Sequence, residues 1–526
     1  MAMKPRRLPQ GPRLALLALV SLWLVACASL PPNQAQVVSN AYSDTDSTTI
    51  GKSIRDDIAA HPGLSGFHLL ERGLDAFAAR AVLAYGAERS IDAQYYLLHN
   101  DLVGTLFLDS LLKAADRGVR VRLLVDDMTL NDQKDIGVAA LDLHPKVEVR
   151  VFNPFSRGGI RVLQYLTRFE VSRRMHNKSF TVDNQITVLG GRNIGNEYFE
   201  ADPDLAFGDL DTLAIGPVVN DVSTSFDEYW NSELSYPIAT LLGDAPDPEL
   251  LGRMREALHE FVEQQQDSDY LQALRDSRLI EKIKADQFEF YWGNATVLYD
   301  DPAKVASDRD ETDLHLSSQL KALSTRASKE LIIFSPYFIP GREGVENFRQ
   351  LRKAGVRVRI LTNSLASTDV SAVHAGYAKY RKYLLRDGVE LYEIDKTLTS
   401  AQRKDKKGQE GSSKASLHAK SFVIDREAVF IGSMNLDPRS VVENTEIGVV
   451  FESGEIAAGM GDWFDANIDQ VAFRLALEEN DQGEETLVWY RNQDGKEARY
   501  TTEPNTGFWR RFGVGFLRML PIEPLL

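Results

Sequence analysis

His176-Asn177-Lys178-Ser179-Phe180-Thr181-Val182-Asp183 returns, from position 418, as His418-Ala419-Lys420-Ser421-Phe422-Val423-Ile424-Asp425. Two further strings recur in the same order. Gly118-Val119-Arg120-Val121-Arg122 comes back as Gly355-Val356-Arg357-Val358-Arg359, and Gly190-Gly191-Arg192-Asn193 as Gly432-Ser433-Met434-Asn435. Three matches in register mean an internal duplication, with copies over about 71–245 and 321–475. Within each copy, short β-branched runs alternate with helical patterns: Ser90–Tyr96 reads as a strand, Gly104–Arg117 as a helix and Val119–Val125 as a strand. That alternation predicts two copies of one α/β unit. Residues i and i+2 of a strand share a face, so His176 projects with Lys178, and His418 with Lys420. Asp183 and Asp425 lie an odd number of positions further on and face the other side, which predicts a structural task. The glycine turns that follow bring Asn193 and Asn435 back towards the histidines.

Working outward, the chain has 526 residues, 43% hydrophobic and 26% charged, with a mean hydropathy of −0.26. This composition excludes a polytopic membrane protein and leaves room for more than one domain. The formal charge of −16 disfavours broad binding to duplex DNA, which needs basic surface to displace counterions, so no nucleic-acid partner is expected. The single cysteine, Cys27, excludes a disulfide framework and any multi-cysteine metal site. It ends a segment with four basic residues up to Arg13, an apolar run from Leu14 to Ala26, and the string Leu24-Val25-Ala26-Cys27. That order is the pattern of a secretory signal, and its apolar run is too short to span a bilayer. The predicted organisation is a signal at 1–27, a tether at 28–70 that is polar over 28–50 with order beginning near Ile54, the first copy at 71–245, a linker at 246–320, the second copy at 321–475 and an extension at 476–526. The extension contains Phe508-Trp509-Arg510-Arg511-Phe512, a pattern that suits either a lipid interface or packing on the body.

The two complete strings resemble the HKD motifs of the phospholipase D superfamily. That resemblance implies two phospholipase D-like α/β/α domains with mixed sheets, whose motifs meet at a pseudo-twofold interface to form one active site for phosphodiester chemistry, without metal or cofactor. It assigns His176, Lys178, Asp183, His418, Lys420 and Asp425 to the catalytic set, with His176 as nucleophile and His418 as general acid. Lys178, Lys420, Asn193 and Asn435 match phosphate-contacting positions. These residue types suit the reaction: lysines and amide donors stabilise charge that builds on the phosphate oxygens, and an imidazole can attack phosphorus or carry a proton. Each histidine needs an acid to fix its tautomer. Glu446, in Asn444-Thr445-Glu446, matches the family's acidic partner in the second copy, and Asp209 aligns with it in the first, with Asp211 as competitor.

Leu24-Val25-Ala26-Cys27 resembles the bacterial lipoprotein box, which implies a lipidated Cys27 and attachment to an envelope membrane facing the periplasm. Alanine at position 28 favours the outer membrane. Ala93-Gln94-Tyr95-Tyr96, Ala114 to Val121 and Leu520-Pro521-Ile522-Glu523 resemble the C-type bacterial cardiolipin synthases. The implied activity is phosphatidyl transfer between phospholipid substrates, including phosphatidylglycerol, through a phosphohistidine; an accessory protein is left undefined. A hydrolytic phospholipase D and a catalytically silent lipoprotein scaffold are the alternatives. The basic loop Arg403–Lys414, just before the second motif, is a candidate collector of anionic headgroups, a solvated surface loop being the commoner fate of such a run.

Overall fold

A computed structural model describes residues 30–520 and Glu523, apart from 34–35, 131, 159–160, 168, 203–204, 243–245, 286, 397–413 and 494–495. Cys27 with its signal, and almost all of the basic loop at 403–414, lie outside the described residues.

The first copy builds on β1 (Ser65–Leu70), β2 (Ser90–Tyr95), β3 (Arg120–Asp126), β4 (Val147–Phe152), β5 (Ser179–Val182), β6 (Ile186–Gly190), β7 (Leu205–Gly208), β8 (Asp211–Ile215), β9 (Ser235–Pro237) and β10 (Tyr291–Gly293). The second uses β11 (Ala295–Tyr299), β12 (Glu330–Phe334), β13 (Arg357–Asn363), β14 (Glu390–Ile394), β15 (Lys414–Leu417), β16 (Ser421–Ile424), β17 (Ala428–Gly432), β18 (Ile447–Glu452), β19 (Ala472–Glu479), β20 (Glu485–Gln493) and β21 (Lys496–Tyr500). They form a nine-stranded sheet, β10-β1-β8-β6-β5-β2-β3-β4-β9, a ten-stranded sheet, β11-β18-β17-β16-β12-β13-β14-β19-β20-β21, and a two-stranded sheet, β15-β7. At the heart of both large sheets, three parallel strands adjoin an antiparallel set: β8-β6-β5-β2-β3-β4 in one and β18-β17-β16-β12-β13-β14 in the other. The duplication seen in three short strings thus extends to strand order and direction.

The repeated Gly-Val-Arg-Val-Arg string has a mechanical reading. Gly118 and Gly355 adopt φ of +97° and +89°, the left-handed backbone that ends a helix and that side chains disfavour. The valines enter the cores, and the final arginines, Arg122 and Arg359, are buried in strands covered on both faces. Arg122 forks onto Asp92 at 2.6 and 2.8 Å, and Arg359 meets Glu330 at 2.6 Å. A buried guanidinium is tolerated only when its charge is paired in this way.

The stretch 28–70, expected as a tether, is folded wherever it is described. Thr48 caps a helix over Thr49–Ala60, and β1 lies inside the first sheet between β8 and β10. Asn33 and Gln36 donate to backbone carbonyls at Trp230–Ser235. β1 buries Phe67 and Leu70 and pairs with strands far along the chain. The stretch 246–320 contains three helices and also gives β10 to one sheet and β11 to the other. The two sheets share a core in which Phe67 of the first copy stacks on Phe451 of the second at 4.1 Å. Among the described residues no helix is long and apolar enough to cross a membrane.

Candidate active site

The parallel strands β2, β3, β12 and β13 point their C-terminal ends at the seam between the copies, and both histidines sit there, buried. Backbone pairing sets their positions. The His176 amide donates to the Thr445 carbonyl at 2.8 Å, and Thr445 donates to Arg174 at 2.9 Å. In the other copy β15 pairs in parallel with β7, and the His418 amide donates to the Gly208 carbonyl at 2.7 Å. Thr445 and Gly208 are the residues just before the two acids. Each histidine strand is therefore laced to the acid-bearing segment of the opposite copy.

Side-chain pairing follows from that lacing. His176 Nδ1 lies 2.8 Å from Glu446 Oε2, and His418 Nδ1 lies 2.5 Å from Asp209 Oδ2. Alignment within a copy had matched Glu446 with His418 and Asp209 with His176; the structure crosses the pairs, because the acid preceded by a histidine's backbone partner belongs to the other domain. Asp211 is engaged elsewhere, by Arg80 at 2.9 Å and by the Arg192 amide. Each carboxylate engages Nδ1, and on His418 the other ring nitrogen, Nε2, lies 3.2 Å from Lys420 Nζ.

Lys178 and Lys420 complete the cluster, each donating to the carbonyl of its own motif histidine, at 2.5 Å for Lys178. Lys420 Nζ also lies 2.9 Å from His418 Nδ1. Burial holds Lys178 well below the usual lysine range and Lys420 at about 8, opposed by the nearby carboxylates of Glu446 and Asp209. Burial, Lys178, Lys420 and His418 together push the His176 imidazole well down, towards its neutral form. Burial and Lys420 lower His418 as well, and Asp209 opposes them. The acids diverge. Burial raises Glu446 to about 7 against Lys178 and the Ser433 hydroxyl, whereas His418, Lys420 and Arg192 overcome burial and hold Asp209 ionised.

Asn193 is buried beside the cluster, accepting from the Leu97 amide at 3.2 Å and donating to the Tyr198 hydroxyl at 3.0 Å; Asn435 is buried at the equivalent place. Asp183 and Asp425, included with the catalytic set by resemblance, do not reach the site. Asp183 accepts from the amides of Glu88, Arg89 and Ser90 at the start of β2, and Asp425 from those of Ser328, Lys329 and Glu330 at the start of β12. Both stand in left-handed turns at the far end of the sheet, where a carboxylate can gather successive amides. Their task is to join each hairpin to its neighbouring strand.

Sequence reasoning missed several residues that build the site. Asp126, at the end of β3, accepts from the Met175 amide at 2.8 Å, and Asp300 accepts from the Glu446 amide at 2.8 Å. Burial raises each to about 6. Ser433 donates to Glu446 at 2.5 Å, and the rings of Tyr96 and Tyr198 stand edge-on to His176 and His418 at 4.9 and 5.2 Å. A polar residue at the end of a buried parallel strand, as in Val125-Asp126-Asp127, was the available signal for Asp126. Among the described residues, His99, Asp101 and Glu197 bring possible metal-ligand atoms within 4.8 Å. Asp101 already accepts from the amides of Gly104 and Asn196.

A family model described as cardiolipin synthase, PLD-like domain matches residues 84–230 and 320–468, one match to each copy. The chain belongs to that family. It is 43% identical over 467 residues to cardiolipin synthase C of Escherichia coli (strain K12), covering 89% of this chain and 97% of that one. It is 26% identical over 383 residues to cardiolipin synthase B of Salmonella typhimurium, covering 73% and 75%. The crystal structure of phosphatidylserine synthase from Haemophilus influenzae Rd KW20 superposes with a TM-score of 0.54 at 13% identity, over 81% of this chain and 91% of that one, which shows the fold. The phospholipase D-like fold and the resemblance to cardiolipin synthases read from the motifs are thereby established.

Proposed function

We propose that this protein is a phosphatidyltransferase that makes cardiolipin, with phosphatidylglycerol as acceptor. The observation that carries the reading is the crossed pair of histidines, each held at Nδ1 by the other copy's carboxylate, in a buried site with two lysines. His176 Nε2 attacks the phosphorus of a donor phospholipid, forming the nitrogen–phosphorus bond as the bond to the headgroup oxygen breaks. His418 Nε2–H gives that oxygen its proton. The acceptor's headgroup hydroxyl then loses its proton to His418 and attacks phosphorus, releasing His176. Lys178 and Lys420 stabilise charge on the phosphoryl oxygens, and the bound anion in turn favours their protonated forms and that of His418.

Cys27 is proposed as a lipid attachment site on the periplasmic face of the envelope, with the outer membrane favoured. The anchor supports transfer over hydrolysis. Water stands at about 55 M, so an alcohol acceptor wins only when held at high effective concentration, as two reactants in one bilayer are. The test is the product ratio from purified protein in vesicles of phosphatidylethanolamine and phosphatidylglycerol, read by mass spectrometry. Mainly cardiolipin is expected. Mainly phosphatidic acid, with phosphatidylglycerol abundant, would assign hydrolysis instead.

A further inference from the structure

The helix Phe508–Met519 is amphipathic in an inverted sense. At 100° per residue, Phe508, Phe512, Phe516, Trp509 and Met519 fall on one continuous arc, and all five are exposed, Trp509 and Met519 by 78% and 76%. The opposite face is narrow. Val514 is buried against Leu365 and Ala375, and Leu517 packs beside it. Five large apolar side chains facing outward together form a contiguous patch of the kind that marks a partner site.

The helix is held in this attitude from both ends. Ahead of it, Glu503 pairs with Arg381 at 2.6 Å and His374 at 3.3 Å; beyond it, Glu523 meets Lys379 at 2.7 Å and the Tyr380 hydroxyl at 2.6 Å. The aromatic face is therefore presented by a fixed scaffold. Charge identifies what it fits. Phe508–Met519 contains three arginines and no acid, within a chain of net charge −16. Arg518 is exposed and Arg511 half-exposed, both along one border of the apolar arc.

Position ties this face to the site. Arg510 donates to the Thr368 carbonyl at 3.0 Å, so the helix rests on the loop that follows β13. At the start of that loop Asn363 exchanges two hydrogen bonds of 2.9 Å with Leu417, the residue before His418. Loop residue Asp369 accepts from Tyr337 at 2.7 Å, beyond the end of β12. Val370 in the same loop, and Met128, Ile136, Val162 and Leu163 in segments following β3 and β4, add exposed apolar side chains at the strand ends that face the site.

We infer that the C-terminal helix docks on an anionic phospholipid surface, burying Trp509, Phe512 and Phe516 in the interface with Arg511 and Arg518 on lipid phosphates, so that the mouth of the HKD site meets the bilayer holding its substrates. Aromatic side chains bordered by arginine are the composition that an interfacial helix uses. This deepens the phosphatidyltransferase reading, and the test has one arm independent of turnover. Full-length protein is mixed with phosphatidylglycerol vesicles whose acyl chains carry bromine quenchers. Tryptophan fluorescence is expected to fall, and Trp509→Phe to remove most of that loss. Unchanged quenching in Trp509→Phe would overturn the inference even if cardiolipin is made. In the second arm, Phe512→Asp/Phe516→Asp is expected to lower turnover on vesicles about tenfold, with activity on monomeric dihexanoyl phosphatidylglycerol kept within about twofold. Equal loss on both substrates would make the helix a packing element. An aromatic-dependent dimer without lipid, with no quenching on vesicles, would make the occupant a second copy of the chain.

Discussion

Gly191 and Ser433 hold the same position in the two copies, each beside the acid that holds the other copy's histidine. In the second copy the Ser433 hydroxyl donates to Glu446, the acid that holds His176. In the first, a Cβ on Gly191 would come within 2.1 Å of Asp209 Oδ1, so no serine fits beside the acid that holds His418. Asp209 instead has the charges of His418, Lys420 and Arg192 around it and remains ionised, while Glu446 stands near neutrality at about 7. The lesson is that duplication gives a near-symmetric frame and a few side chains break the symmetry of function. The His176–Glu446 pair favours a neutral imidazole and the His418–Asp209 pair has the ionised partner that supports a protonated one, which is the difference the proposed roles of nucleophile and acid rest on.

The largest effects come from the histidines. His176→Ala is expected to lower turnover by about 10⁴-fold or more, since the proposed attack on phosphorus is made by its Nε2, and steady-state assay of the folded variant checks it. His418→Ala is expected to abolish turnover too while leaving slow adduct formation possible on His176. Next comes Glu446. Its ionised form best accepts the Nδ1 proton of His176, so the rate is expected to rise between about pH 6 and 8 as Glu446 loses its proton. Glu446→Gln is expected to cost about 10³-fold and to erase that rise, which a pH–rate profile reads directly.

Ser433→Ala sharpens the contrast between the copies more gently. Loss of a donor that favours the carboxylate raises the Glu446 pKa, so the rise in rate is expected to move about half a unit to one unit alkaline, with about threefold less activity near pH 7. Asp183→Ala is the smallest on chemistry. It removes a buried acceptor from three amides and is expected to cost about 1–3 kcal/mol of stability, with turnover per folded molecule unchanged; denaturant unfolding alongside kinetics checks it.

Much of this was readable in the sequence because it rests on short-range rules. The period of two put His176 with Lys178 and turned Asp183 away, and the repeat of whole strings predicted two matching sheets. What was hidden depends on contacts between distant segments. The crossing of the acids follows from Thr445 pairing with His176 and Gly208 with His418, and no spacing within one copy reveals it. The strand Ser65–Leu70 read as tether because its partners, Asp211–Ile215 and Tyr291–Gly293, lie far along the chain. Asp126 and Asp300 act by holding the backbone of Met175 and Glu446, a role without a local signature.

The central claim is the unequal division of labour between the two copies. Rapid alkaline quenching of the enzyme during turnover of labelled phospholipid, followed by peptide mapping, locates the phosphohistidine. The account predicts the phosphatidyl group on His176 in wild type, accumulating there in His418→Ala. An adduct on His418, or one divided evenly between the two histidines, would contradict it.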